Sequence, residues 1–254
     1  VAGVAWATLI AQGISSFLSF LVFLREIGRL ESVRTKIFDR AELWTMTKIA
    51  LPSILQQSTV SIGMMLVQSV VNGFGSEALA GFSAGMRIQS ICIVPMSGLG
   101  NAMSSYTAQN IGAHKKERVV EGYRAAAILV IACSIVLCAA MQCFSGPLIS
   151  LFLGEEGTAT AFSTGRGYLT FIGWFFCLIG FKMSVDGLLR GAGDMKMFTI
   201  ANLVNLTLRV TLAVAFAPQV GIAMVWYAVP VGWAANWIIS YAEYRTGKWK
   251  RISA

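Results

Sequence analysis

Four ionisable residues sit inside long apolar runs: Arg87, Lys182, Asp186 and Arg209. A charge surrounded by hydrocarbon is costly, so such residues pair with one another or mark a path for ions and polar solutes. Lys182 and Asp186 are four residues apart, one helical turn, and can pair. They lie within two turns of the end of their run, where a lysine can snorkel to the interface. Arg87 sits one or two turns inside the other face and can do the same. Arg209 lies beyond the middle of its run, and the sequence shows no partner for it. Amides and hydroxyls crowd the stretch "LPSILQQSTVSIGMMLVQSVVN" (51–72), with Gln56, Gln57, Gln68 and Asn72 among them. Left unpaired in hydrocarbon, each costs about 2–7 kcal/mol. Groups of this kind either bond to each other across a helix interface or line a water-filled cavity.

Helical spacing sorts these residues into stripes, because positions i, i+4, i+7 and i+11 share a face. Gln57, Ser61, Met64, Gln68 and Asn72 fall on one stripe. Arg87, Ser90, Ser97, Asn101 and Ser104 form a second, in a run that Pro95 interrupts, freeing a carbonyl. Tyr168, Phe175, Lys182 and Asp186 form a third, and Asn202, Asn205 and Arg209 a fourth. Single members of such stripes can serve as interhelical hydrogen bonds worth about 0.6–2 kcal/mol. Four striped helices together point to a polar, solute-holding cavity. The aromatics near it (Tyr168, Trp174, Phe175, Phe176) suit a permissive cavity and name no ligand.

No enzyme site emerges. The single histidine, His114, lies in a basic connector without metal-ligating company. "GAGD" (191–194) lacks the strand context and the Lys-Ser/Thr of a phosphate loop. "NLT" (205–207) matches a glycosylation acceptor but lies in an apolar run. Cysteines 92, 133, 138, 143 and 177 are odd in number, show no metal spacing and read as small buried apolar residues. No metal or organic cofactor is expected. The net charge of +8 carries no nucleic-acid motif with it.

The elements that must position these residues are membrane helices. The 254-residue chain is 56% hydrophobic and 13% charged, well under the roughly 25% of soluble domains, and its mean hydropathy is +0.68. Crossing about 30 Å of hydrocarbon takes about 20 apolar residues. Seven runs qualify: 4–24, 49–72, 82–108, 125–145, 167–188, 197–217 and 221–242. The expected fold class is an all-α integral membrane protein with seven transmembrane helices. The basic residues alternate between connectors. Arg25, Arg29, Arg34, Lys36, Arg40 and Lys48 fall in 25–48, and Lys115, Lys116, Arg118 and Arg124 in 109–124. Arg190 and Lys196 fall in 189–196, and four more in 243–254. Segments 73–81 and 218–220 have none, and 146–166 has only Arg166. This places residue 1 outside and the C-terminus in the cytoplasm, in the plasma membrane. "PLISLFL" (147–153) is too short to span and is expected to lie in the outer interface. "GFSAG" (81–85) and "GLLRG" (187–191) match the small-xxx-small pattern of close helix packing.

The first and last runs resemble each other. Both open Gly-(Val/Ile)-Ala, at Gly3 and Gly221, both carry a second glycine, Gly13 and Gly232, and both close on arginine, Arg25 and Arg245. A six-span repeat follows, as in secondary transporters. The chain then divides into 1–24, the last helix of an N-terminal lobe cut short; 25–48, a cytoplasmic linker; 49–242, a six-helix C-terminal lobe; and 243–254, a cytoplasmic tail.

Three stretches carry a family resemblance: "LPSILQQSTVSIG…VQSVVNGFGSEALAG", "PMSGLGNAMSSYTAQNIGAHKKERV" and "GLLRGAGDMK". They resemble the multidrug and toxic compound extrusion (MATE) family along the whole chain. The resemblance implies twelve helices in two six-helix lobes, of which this chain matches helices six to twelve. It implies export of organic, often cationic, compounds, driven by entry of protons or sodium through alternating access. Sodium-type members carry a glutamate and an aspartate in this lobe. Those positions fall on Val60 and Ile179 here, so the H⁺ or Na⁺ site is expected in the N-terminal lobe. The expected partners are membrane lipid, small organic substrates and that lobe, with no nucleic acid. A lipid or polysaccharide flippase of the same superfamily is the alternative; flippases usually need a more strongly cationic cavity for lipid phosphates, and Arg87 and Arg209 leave that open. A seven-helix receptor also matches the topology. The repeat, the motifs, the lack of an extracellular disulfide pair and a lysine in the fifth span speak against it.

Overall fold

The computed structural model describes residues 2–29, 38–154 and 157–250. Their regular structure is helical: α1 (Ala2–Ile27), α2 (Arg40–Asn72), α3 (Ser76–Gly112), α4 (Lys116–Leu153), α5 (Ala159–Gly173), α6 (Phe176–Gly191), α7 (Met195–Val220) and α8 (Ala223–Thr246), then a 3-10 turn at Lys248–Lys250. The chain forms two compact units, Val1–Met46 and Thr47–Ala254. In the first unit α1 is apolar apart from one stripe of Thr8, Gln12, Ser15 and Ser19, and its large side chains, Trp6, Leu9 and Phe17 among them, are exposed. Its 22 residues Trp6–Ile27, at a mean hydropathy of 1.9, suit lipid rather than water.

Five helices (α1, α2, α3, α4 and α7) are long and apolar enough to cross a membrane, and the bent pair α5–α6 makes a sixth. The protein is an all-α, multi-pass membrane protein. The expected seventh span corresponds to α8, whose 24 residues are long enough. Its interior carries Trp226, Tyr227, Trp233, Asn236 and Trp237 in place of aliphatic residues, and it falls outside the apolar set.

Local chemistry sets the boundaries. Thr158 caps α5 by accepting the Ala161 N–H at 3.3 Å, and the Asp194 carboxylate caps α7 by accepting the Met197 N–H at 3.2 Å. The "GAGD" stretch is therefore a helix junction, with Gly193 at φ 79° supplying the turn. His114, at φ 57°, turns the chain between α3 and α4; histidine is among the residues that tolerate this left-handed region.

Four expectations change. The run 167–188 is two helices meeting at a 58° bend around Trp174 and Phe175. "PLISLFL" continues α4, a single 38-residue helix that accommodates Pro147. Pro95 likewise lies inside an unbroken α3. The tail from 243 is folded through Lys250: Glu243–Thr246 complete α8, and Trp249, 1% exposed, stacks on Tyr244 with ring centroids 5.9 Å apart. Of the linker 25–48, residues 25–27 end α1 and 40–48 begin α2, while 30–37 lie outside the described residues.

In the second unit the core has two clusters. One gathers Phe82, Tyr168, Phe176, Trp226 and Trp233 with aliphatic neighbours. The other gathers Val119, Tyr123, Leu188, Leu189 and Trp249. Ile91, Val94, Ile128, Ile135, Val136 and Leu151 face outward. The cysteines are not core residues: Cys143 is exposed, the other four are partly exposed, and all five are free thiols.

Glycines set the closest helix approaches. A Cβ on Gly81 would overlap the Ala161 carbonyl, one on Gly187 the Gly100 carbonyl, and one on Gly191 the Ser104 carbonyl. Both small-xxx-small motifs therefore mediate packing, of α3 on α5 and of α6 on α3.

Candidate functional site

Polar groups buried in the second unit converge where α6, α7 and α8 meet. Lys182 Nζ lies 3.0 Å from Asp186 Oδ2, the pairing that their four-residue spacing allows. Asn202 bridges the pair from α7: its Oδ1 accepts from Lys182 Nζ at 3.0 Å, and its Nδ2 donates to Asp186 Oδ2 at 3.3 Å. The same Nδ2 donates to the Phe198 carbonyl at 2.8 Å, which fixes the amide's orientation. From α8, Ser240 Oγ donates to Asp186 Oδ1 at 2.7 Å. The carboxylate thus has three partners from three helices and is 5% exposed. A buried ion pair holds only when its remaining hydrogen-bonding positions are filled in this way.

Two cavities flank this network and share Gln57, Lys182 and Met183 in their walls. The smaller, about 190 Å³, is lined by Ser97, Asn101, Asp186, Arg190 and Phe198, among others. Arg190 reaches α3 here: Nη2 donates to Asn101 Oδ1 at 2.8 Å and Nε to Ser104 Oγ at 3.3 Å. The larger, about 250 Å³, is lined by Val60, Met64, Gln89, Ile179, Asn202, Asn205, Arg209 and Trp233, among others. Arg209 Nη2 contacts Met64 Sδ at 3.6 Å. Arg209 Nε and Asn205 Oδ1 are buried without a partner. Gly232 makes the room: a Cβ there would collide with Asn205 and with the Arg209 stem.

The sequence-derived stripes are sorted by this geometry. Gln57, Met64, Ser97, Asn101, Lys182, Asp186, Asn202, Asn205 and Arg209 line one cavity or the other. Ser61, Gln68 and Asn72 are exposed and line neither, and so is Arg87. The Ser61 hydroxyl donates to the Gln57 carbonyl at 3.1 Å, so it is satisfied within its own helix. Tyr168 is a core residue whose hydroxyl bonds Gln89 Oε1. Phe175 packs on Phe171 with ring centroids 5.0 Å apart, Phe176 is fully buried, and Trp174 is exposed. The bend between α5 and α6 breaks the phase that a continuous helix would need to align Tyr168 with Lys182. Gln89, Arg190, Trp233 and Ser240 were not expected in the site. Asn236 and Ser240, four apart on α8, carried a helical signal of their own.

Val60 and Ile179, where the family resemblance places two carboxylates in sodium-type members, both face the larger cavity. Among the described residues no group of three or more His, Cys, Asp or Glu could hold a metal ion.

Comparisons with known proteins agree with this architecture. The MatE family model matches residues 52–215. The probable multidrug resistance protein YpnP of Bacillus subtilis (strain 168) is 31% identical over 254 residues, 99% of this chain and 56% of the relative. Among solved structures, a MATE in complex with MaL6 superposes with a TM-score of 0.81 at 23% identity, covering 93% of this chain and 54% of that one. An outward-facing multidrug resistance MATE family transporter of the MOP superfamily superposes at 0.76 and 23% identity, covering 87% and 50%. The chain spans about half the length of the relatives it matches.

Proposed function

The chain belongs to the MATE family, and from that premise we propose that it is one lobe of a secondary transporter that exports drugs and other toxic amphipathic compounds by cation-coupled antiport. One observation carries the reading. The second unit is aliphatic outside, yet within its apolar core it holds two cavities walled by amides and charges from α2, α3, α6 and α7. A span that only had to sit in lipid gains nothing from buried groups that need such extensive satisfaction. The relative of 31% identity named as a multidrug resistance protein supports the same reading. Family membership replaces the receptor alternative.

Export then requires a second lobe that closes these cavities alternately from either side of the membrane. The coupling H⁺ or Na⁺ binds outside this lobe. Asp186, the carboxylate in the cavity walls, is held by Lys182, Asn202 and Ser240. The basic α3–α4 turn and the end of α8 face the cytoplasm.

Everted vesicles holding the full-length protein test the reading. A transported aromatic compound, whichever its charge, is expected to accumulate only under an imposed proton or sodium gradient, and collapsing the gradient should release it. Accumulation that ignores both gradients refutes antiport. Asp186→Asn tests the placement of the coupling site. Per molecule of folded protein it should leave the gradient dependence of export in place, and loss of that dependence at normal protein abundance would move the site to Asp186. The flippase alternative draws on one observation, the arginines in the cavity walls. Scrambling of labelled phospholipid without uptake of organic solutes would select it.

A further inference from the structure

The charges around the two cavities do not balance. The walls hold three cations, Lys182, Arg190 and Arg209, and one carboxylate, Asp186. Asp186 neutralises Lys182. Arg190 is held by a neutral amide and a neutral hydroxyl. Arg209 contacts a thioether sulfur, a weak acceptor, and its buried Nε has no partner. Its titratable neighbour is the phenol of Tyr168, whose hydroxyl is committed to Gln89. The larger cavity has no Asp or Glu in its wall. Among the described residues the ion pairs are Arg29–Glu26 and Lys182–Asp186, so neither cavity arginine has a counter-charge.

An arginine partly buried beyond the middle of a membrane helix is costly, and the cost is met when its fork of donors receives an anion. Asn205 Oδ1, one turn before Arg209 and itself unpartnered, can satisfy a donor, but a neutral amide cannot cancel the charge. The rest of the cavity supplies what an anion's surroundings need. Gln57 and Gln89 are amides with N–H donors, and Trp233, Ile179, Val60 and Met64 form an apolar side for a hydrophobic body. Its 250 Å³ is below the roughly 300–1,000 Å³ of a drug-sized site, so it fits the charged end of an amphipath rather than the whole molecule. A wall of this sign repels organic cations.

We propose that the larger cavity binds the anionic group of an amphipathic solute at Arg209, so that this exporter lobe selects carboxylate-, sulfonate- or phosphate-bearing amphipaths over organic cations. This rests on the exporter reading and names its substrate class. The anion is either a soluble aromatic acid or the phosphate of a lipid.

The test uses the full-length protein in phosphatidylcholine nanodiscs and two tritiated probes of one scaffold and opposite charge, 2-naphthoate and 2-naphthylmethylammonium. Naphthoate should bind about tenfold or more tighter. Arg209→Gln should remove that preference, and Arg209→Lys, which keeps the charge, should retain most of it. Equal binding, or tighter ammonium binding, to the unmodified protein overturns the proposal without any variant. So does an Arg209→Gln protein that keeps the preference. Replacing part of the phosphatidylcholine with phosphatidylglycerol separates the sources. Displacement of naphthoate assigns the site to a lipid phosphate, and no displacement assigns it to a soluble anion; either keeps the anionic site. The vesicle assay separates the two readings. Tight ammonium binding with gradient-driven export leaves the exporter standing and removes the anion site. Tight naphthoate binding without export does the reverse.

Discussion

Asp186 shows how a buried charge is tolerated. Its two carboxylate oxygens take bonds from Lys182, Asn202 and Ser240, one helix each from α6, α7 and α8. Removing one member leaves the other charge buried and alone, which typically costs about 3–5 kcal/mol. Asp186→Leu should therefore lower the melting temperature and abundance sharply. The double change Lys182→Met with Asp186→Leu should recover most of the loss, because it removes both desolvation costs. Thermal denaturation of the three proteins in detergent decides this; a double variant no better than the single one would mean that the pair does not act as a unit. Spacing alone exposed the Lys182–Asp186 pair. It did not expose Asn202 and Ser240 as its partners, since they lie 16 and 54 residues from Asp186 and only packing brings them there.

Among the elements, the contact of α3 with α6 depends on absent side chains. Gly187 and Gly191 lie one turn apart on α6 against the Gly100 and Ser104 carbonyls of α3. Gly187→Val should force the helices apart and cost about 1–3 kcal/mol or more. Gly98→Ala, on α3 with open space around it, should be neutral or gain up to about 1 kcal/mol in helix stability. Melting temperatures of the two variants check this contrast; equal losses would show that the α3–α6 approach is not glycine-limited. At the other end of α8, Trp249 donates its indole N–H to the Tyr244 carbonyl at 3.0 Å and packs beside Val119 and Tyr123 in one core cluster. Trp249→Ala should cost about 3–5 kcal/mol, read as lost abundance and earlier melting. A floating tail would show no effect. Only its single tryptophan among basic residues hinted that this segment folds back.

For the whole molecule, the orientation proposed from the basic connectors has a direct check. On a cysteine-free background, His114→Cys should react with a membrane-impermeant thiol reagent only when the cytoplasmic face is open. Gly157→Cys, beyond the far end of α4, should react in intact cells. The reverse pattern would invert the topology. The sequence by itself determined that the chain is a helical membrane protein, where most spans run, which family it resembles and which residues are too polar for lipid. The family resemblance rests on three motif stretches, and the other conclusions follow from composition, run length and a one-turn period, all local properties. The tertiary structure alone decided which polar residues meet. Gln57 and Ser61 share a stripe, yet Ser61 is satisfied by its own backbone and Gln57 faces both cavities. Tyr168 and Lys182 share a nominal face, yet a 58° bend separates them. Periodicity says which side chains point the same way along one helix. Which way that is depends on the neighbours, and for Arg209 the neighbours are a thioether, amides and a cavity that holds no carboxylate.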